Sequence, residues 1–182
     1  MGGYNYLVSS LPALALGSPP PFTPEDFLFH TQGVLSEADQ AELAAVLSGH
    51  PERGYSGFAR MWSAGDTQIR NTIAKARGAK LGVEVKPFLH SHPGYSVWLD
   101  KDVSDALAKS NPLESEMGLD AARWKYVDDL ALADPTGLPG VLAFAVKLML
   151  VSRWSGMDEK AGRERLEQLV SDLEEQAPQA GS

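Results

Sequence analysis

The longest apolar run in the chain constrains its fold more than any other feature. It reads "GLPGVLAFAVKLMLVSRW" over residues 137–154, and Lys147 stands near its middle. A membrane-spanning helix needs about 20 consecutive, predominantly apolar residues, and this run is interrupted by a charge before it reaches that length. The run therefore predicts a buried core helix from about Pro139 to Trp154, apolar nearly all round, against which other elements must pack.

Start signals for further helices precede several other segments. Thr23 is followed by Pro24 and two acids, and Ser36 opens "SEADQAELAAVLSG", which stops at Gly49. Asn111 stands before Pro112, with Glu114 placed to close a capping box, and predicts a helix to about Ala133. Further predicted helices span residues 55–82, with Gly65 as a possible break, residues 96–109, and an amphipathic segment capped by Asp158 that uses Leu166, Leu169, Val170 and Leu173.

These segments together predict a mainly α-helical protein, a compact multi-helix bundle. Residues 83–95 are the best candidate for an extended segment or loop. Neither an internal repeat nor a linker divides the chain. We therefore expect a single helical domain over residues 1–176 and a disordered tail over residues 177–182.

The N-terminal stretch "YNYLVSSLPALALGSPPPF", residues 4–22, could be a secretory signal or part of the fold. A signal peptide carries a positively charged segment before its apolar run, and no Lys or Arg precedes Arg53. Pro12 also interrupts the run, because proline removes a backbone donor. The stretch is therefore expected to be structural.

Charge is unevenly distributed along the chain. The net charge is −6 over residues 1–52, +5 over residues 53–86 and −7 over the remainder. The overall charge of −8 argues against nucleic-acid binding, which depends on Lys and Arg contacts to phosphates. Two interpretations of the basic middle stay open: it docks an acidic partner, or it folds back onto the acidic parts of its own chain.

Sequence patterns typical of catalytic or cofactor sites are scarce. The absence of cysteine excludes thiol catalysis and cysteine metal sites, and no glycine-rich segment has the spacing of a phosphate loop. His90 and His92 in "HSHPG" share a face of an extended segment, but no further ligand nearby in sequence completes a metal site. We therefore single out no catalytic, metal or cofactor site, although composition does not exclude Ser-His-Asp catalysis.

One charged residue stands where an apolar residue is expected. On the helix from Pro112, Leu113, Met117, Trp124 and Val127 share a face. Asp120 lies in the middle of that face, and a buried carboxylate is costly unless it is paired. We hypothesise that Asp120 pairs with Lys147, Arg153 or Arg70, either as an internal ion pair or as a contact for another subunit. Glu116 and Arg123 flank the same face.

The helix after Gly65 has a basic edge. Arg70 and Arg77 line the edge of its apolar stripe, and Asp66 precedes Arg70 by four residues as an intrahelical partner. Such a helix suits docking on an acidic surface or forms an ordinary solvated face. The candidates for partner contact or structural ion pairs are Asp66, Arg70, Arg77, Glu116, Asp120, Arg123, Trp124, Lys147 and Arg153.

Three segments of the chain carry a resemblance to a known family. They are "YNYLVSSLPALALGSPPPFTPEDF", "DTQIRNTIAKARGAKLG", and "NPLESEMGLDAARWKYVDDL" followed by "VLAFAVKLMLVSRW". Together they resemble an uncharacterised bacterial family encoded among the subunits of V/A-type rotary ATPases. A weaker likeness runs to the central-stalk C (or d) subunit, a helical funnel of which this shorter chain could supply only part.

The resemblance implies a non-catalytic component or assembly protein of the ATPase that acts by protein–protein contact. Its expected partners are the central stalk, the rotor ring or both. The expected location is the cytoplasm, at the inner membrane through the complex and without a membrane span of its own. The alternative is a soluble helical small-molecule-binding protein or enzyme unrelated to the ATPase, and a third possibility is an assembly chaperone that does not stay bound.

Overall fold

Seven α-helices form a compact bundle within residues 3–155, the part of the chain that the computed structural model describes. They are α1 (Asn5–Ser10), α2 (Pro24–His30), α3 (Glu37–Leu47), α4 (Gly57–Leu81), α5 (Val97–Leu107), α6 (Pro112–Ala131) and α7 (Leu138–Ser155), with short 3₁₀ turns at Pro51–Arg53 and Lys86–Phe88. This part of the chain contains no β-strand, so the predicted mainly helical class is confirmed. The helix predicted from Asp158 and the tail predicted over residues 177–182 lie outside the described residues.

The apolar run forms the central helix of the bundle. Nine side chains of α7 are buried, and eight of them belong to the larger hydrophobic cluster, together with residues of α2, α3, α4 and α6. The Phe27 ring of α2 packs against the Phe144 ring of α7 at an interplanar angle of 57°, with ring centroids 4.9 Å apart. With a mean hydropathy of 1.3 over 18 residues, α7 is long and apolar enough to cross a membrane by length and composition alone. In this fold it packs against five other helices.

Side-chain caps fix the helix starts that the sequence indicated. Thr23 and Asp26 form a reciprocal capping box at α2, and Ser36 accepts a hydrogen bond from the Asp39 amide at α3. Asn111 accepts from the Leu113 amide at 2.9 Å, which begins α6 as predicted. The return bond predicted from Glu114 is absent there, and α6 ends at Ala131, two residues before the predicted end.

The N-terminal stretch packs against the core. Leu7, Val8 and Leu11 contact the larger hydrophobic cluster around α7. The Tyr4 hydroxyl donates a hydrogen bond to Asp39 on α3 and accepts one from the Ser36 amide at 3.2 Å. These contacts give residues 4–22 the structural role that the sequence predicted.

A second tyrosine binds the same carboxylate. Tyr55, which precedes α4, also donates its hydroxyl to Asp39, and this hydrogen bond raises the pKa of Tyr55 to about 12. Asp39 therefore joins the N-terminal stretch, α3 and the start of α4.

The possible helix break at Gly65 is wrong, because α4 continues from Gly57 to Leu81. Gly65 is buried where α4 crosses α6, and a Cβ atom at this position would overlap the Tyr126 ring. Tyr126 also donates its hydroxyl to the Met61 carbonyl at 2.9 Å. Glycine is therefore required here by the close approach of two helices, while Gly82 ends α4 in the left-handed conformation.

We expect Gly65→Ala to lower the free energy of unfolding by about 1–3 kcal/mol, because the added methyl group forces Tyr126 out of its position. The measurement is urea denaturation followed by circular dichroism. Gly57→Ala is the matched control, since a Cβ there meets nothing within 4 Å and alanine favours a helix. Equal stability of the two variants would contradict the close approach of α4 to α6.

Candidate functional site: a buried charge network beside a basic face

Asp120 of α6 is the most deeply buried charged residue in the described part of the chain, with an exposed fraction of 0%. One carboxylate oxygen accepts from Arg123 at 3.0 Å. The other accepts from the Arg153 guanidinium at 2.6 Å and from the Trp154 indole N–H at 2.8 Å. Both oxygens are therefore bonded, and the donors come from α6 and from the last turns of α7.

The network continues on both sides of Asp120. Arg123 lies 3.6 Å from Asp66 of α4, which pairs with Arg70 at 2.7 Å as the four-residue spacing predicted. On the other side, Arg153 lies 3.5 Å from Glu116. Three carboxylates thus alternate with three guanidinium groups and join α4, α6 and α7.

The network has a structural role in this fold. Removing a carboxylate from water costs desolvation free energy, and only charged partners and hydrogen bonds to the carboxylate compensate for that cost. Asp120 is closed off from solvent, so its contacts are internal ones. By contrast, Arg70 keeps 71% of its side chain exposed, and Arg153 and Glu116 are each about two-fifths exposed. The outer members of the network can therefore meet another molecule, whereas Asp120 cannot.

Two of the three partners suggested for Asp120 bind elsewhere. Arg70 pairs with Asp66, and Lys147 pairs with Asp128 while its ammonium lies 4.9 Å from the centre of the Trp124 ring. Arg153 is the partner across the helix interface. The sequence could not separate the three, because it does not fix the register of α7 on α6.

The apolar face predicted on α6 is buried over only part of its length. Val127 is fully buried, but Leu113 is 57% exposed and Met117 is 44% exposed. Buried positions towards the C-terminal end of α6 instead include Leu119, Ala122 and Leu130. The N-terminal end of this shared face is therefore exposed.

Exposed cations collect beside the outer end of the network. Arg77 and Lys80 of α4 and Lys109 of the α5–α6 connection line a shallow pocket of about 300 Å³, which Glu116 also borders. None of these three cations forms an ion pair with another described residue. We call Arg70, Arg77, Lys80, Lys109 and Arg153 together the basic face.

Two buried amides on α4, which the sequence did not single out, hold the loop after α4 in place. The Gln68 side chain donates to the Ser96 carbonyl at 2.7 Å and accepts from the Ser96 amide at 2.9 Å. Asn71 makes the same pair of bonds with the backbone of His90, at 2.8 and 3.0 Å. Each amide side chain thus satisfies both the N–H and the C=O of one residue in a segment that belongs to no sheet.

The fixed loop forms one wall of a groove of about 490 Å³ on the opposite edge of α4. Met61, Tyr95 and Tyr126 line it, and the Gln68 amide that borders it is already bonded to Ser96. His90 and His92 lie in the same loop. Within residues 3–155, no group of three His, Asp or Glu side chains is arranged to hold a metal ion.

A buried acid on α3 is a further residue that the sequence did not single out. Glu42 is 2% exposed and accepts hydrogen bonds from the hydroxyl and the amide of Ser56, the residue that caps α4. It therefore ties α3 to the start of α4. The signal was available, because Glu42 lies beside the core residues Leu43 and Val46 on a helix whose exposed positions already carry other acids.

Asp120→Asn is expected to lower the free energy of unfolding by up to about 3–5 kcal/mol, because two guanidinium groups lose their nearest, buried carboxylate and each keeps only one longer ion-pair contact. Asp105→Asn is the control, since Asp105 and Lys101 form an ion pair whose side chains are 63% and 72% exposed. A surface pair of this kind contributes little to stability. Urea denaturation of both variants checks this difference, and equal losses would contradict a structural role for the network.

Asn71→Ala is expected to speed hydrogen exchange at residues 88–92, because both bonds to the His90 backbone are lost. Hydrogen-exchange mass spectrometry measures the exchange rate of these backbone amides directly. Thr67→Ala serves as the control, since the Thr67 hydroxyl donates only within α4, to the Ser63 carbonyl. Unchanged exchange in Asn71→Ala would show that other contacts hold the loop.

Comparison with known proteins identifies one family over part of the chain. Residues 99–177 match the model of a family described as a protein of unknown function, DUF2764. The match covers most of α5, all of α6 and α7, and the segment after Ser155. No curated protein and no solved structure matches the chain. Over residues 99–177 the chain is therefore similar to a family of unknown function.

Proposed function

We propose that this protein is a non-catalytic component or assembly protein of a bacterial V/A-type rotary ATPase. In this proposal it belongs to the coupling stalk, resembles the C (or d) subunit in role, and acts through protein–protein contact. It works in the cytoplasm and reaches the inner membrane through its partners in the central stalk or rotor ring.

The resemblance of three segments, in order along the chain, supports the choice of complex. These segments correspond to the N-terminal stretch with α2, to the middle and end of α4, and to α6 with α7. They include the residues of the buried network, so the same positions that carry the resemblance also join the helices. The family that matches residues 99–177 has no described function, so experiment must decide whether the rotary ATPase is the complex to which this protein belongs.

The basic face is the observation that carries a contact role. Its five cations belong to a protein whose net charge is −8, so they are not part of a generally basic surface. Three of them border or approach a pocket rather than spreading over a convex surface. The three cations of this pocket outnumber its one acid, Glu116, and a patch with a net positive charge favours docking on a surface of the opposite sign. The expected partner surface is therefore acidic.

Affinity purification of the tagged protein from its native membranes in mild detergent tests this proposal. We expect rotary ATPase subunits to co-elute in fixed ratio, and Arg77→Glu to reduce their recovery because it places an acid in the basic face. Lys75→Glu is the matched control: it makes the same charge change on the same helix, about 200° away around its axis.

Recovery of the protein without any ATPase subunit would contradict the proposal and favour the small-molecule-binding alternative. Equal recovery with Arg77→Glu and Lys75→Glu would contradict the basic face as the contact.

A further inference from the structure

The end of α4 projects from the bundle. Gly78 is the last buried residue of this helix, and residues 79–84 are all exposed. Gly82 reverses the chain in the left-handed conformation, and Val85 then packs back against Gly78, where a Cβ atom would overlap its side chain. The projecting turn is therefore held in place at its base, and the residues beyond Gly78 face solvent.

Three large apolar side chains stay exposed on this turn. Leu81 and Val83, which flank Gly82, are 76% and 56% exposed, and Phe88 in the following 3₁₀ turn is 66% exposed. A single exposed apolar side chain is ordinary, but several close together mark an interaction surface. The turn therefore presents apolar groups to something outside the described part of the chain.

Cations accompany these apolar side chains. Lys80 precedes Leu81 in the last turn of α4, and Lys86 begins the 3₁₀ turn that ends at Phe88. Neither lysine forms an ion pair with another described residue. Glu84 is the one acid in residues 77–99. We call Lys80, Leu81, Val83, Lys86 and Phe88 together the α4 tip.

A membrane surface that carries anionic lipids fits this combination. Binding at such a surface grows with the apolar area that enters the headgroup region, to a depth of about 5–10 Å, and with the attraction of Lys and Arg to the lipid charges. Leu81 lies three residues beyond Gly78, which is about 4.5 Å along the helix axis. The α4 tip therefore has the reach that shallow insertion needs, and its lysines lie where the lipid phosphates would be.

The acidic remainder of the protein does not prevent this contact. At physiological ionic strength, charges are screened over about 8 Å, whereas the 25 residues of α4 extend about 37 Å. The chain also offers a comparison surface without cations. Phe29 is 68% exposed and Val34 is 51% exposed, in a region of the sequence where no Lys or Arg precedes Arg53.

We propose that the α4 tip binds the surface of a membrane that contains anionic phospholipids. Leu81, Val83 and Phe88 enter the headgroup region, and Lys80 and Lys86 remain at the level of the phosphates. This contact goes beyond the proposed function, because it is made with lipid and needs no other protein. Lys80 also belongs to the basic face, so the tests below change only residues outside that face.

Co-sedimentation of the purified full-length protein with lipid vesicles tests the proposal. We expect binding to vesicles of phosphatidylglycerol and phosphatidylcholine in equal parts, weakening as salt is raised, and no binding to phosphatidylcholine alone. Phe88→Ala should lower the affinity about tenfold, because it removes apolar area from the contact. Lys86→Gln should lower it about fivefold, because it removes one cation from the lipid surface.

Two matched variants are the controls. Phe29→Ala removes an equally exposed phenyl ring, and Arg53→Gln removes one positive charge in the turn before the opposite end of α4. Both should bind the vesicles like the unaltered protein. Equal losses in Phe88→Ala and Phe29→Ala, or in Lys86→Gln and Arg53→Gln, would overturn the α4 tip as the site. Equal binding to both kinds of vesicle would overturn the requirement for anionic lipid.

A fluorescent label reports insertion directly. The chain has no cysteine, so Val83→Cys can carry a single environment-sensitive nitrobenzoxadiazole group, with Val34→Cys as its control. We expect anionic vesicles to raise and blue-shift the emission at position 83 and to leave it unchanged at position 34. An unchanged spectrum at position 83 in protein that sediments with the vesicles would overturn the insertion.

The absence of vesicle binding would overturn the proposal whatever the outcome of the affinity purification from native membranes. If Phe88→Ala and Lys86→Gln then still lowered the recovery of ATPase subunits, the α4 tip would be a protein contact instead. Vesicle binding without recovery of any ATPase subunit would support the lipid contact and contradict only the proposed function.

Discussion

The arrangement of α4, α6 and α7 depends on one buried carboxylate. Asp120 is excluded from solvent, so its charge is tolerable only where Arg123, Arg153 and Trp154 donate to it together. A shift of α7 by one turn, about 5.4 Å, would remove two of these three donors. The cost of an unpaired buried charge therefore selects one register for helices whose apolar surfaces alone would allow several. With α7 fixed in this way, Arg153 lies beside Glu116, which also borders the pocket of the α4 and α5–α6 cations.

Several helix starts and one ion pair could be predicted from the sequence, because they depend on residues that are close together along the chain. The caps of α2, α3 and α6 depend on neighbouring residues in sequence, as does the pair of Asp66 with Arg70. Asp120 can be identified from the sequence as an unusual position, because it interrupts an apolar face. Arg153 was one of three partners suggested for it, and only the three-dimensional register of α7 distinguishes them.

The remaining features depend on contacts between distant parts of the chain. Gln68 and Asn71 look like ordinary polar residues of an exposed helix, and their burial follows from a loop that folds back over α4. Gly65 suggested a helix break, because a glycine that permits close helix packing has the same sequence signature as one that ends a helix. Leu113 and Met117 match the apolar period of α6, but they stay exposed. Periodicity shows which residues share a face and leaves open what covers it.

A double-mutant cycle between Asp120 and Arg153 tests the central claim most directly. Asp120→Asn, Arg153→Met and the double variant would be compared by urea denaturation with the unaltered protein. If the pair sets the register of α7 on α6, the two losses are coupled by at least about 1 kcal/mol, within the range found for residues in one network. Losses that add to within about 0.3–0.5 kcal/mol would contradict the account, because they would show that the two side chains stabilise the fold independently.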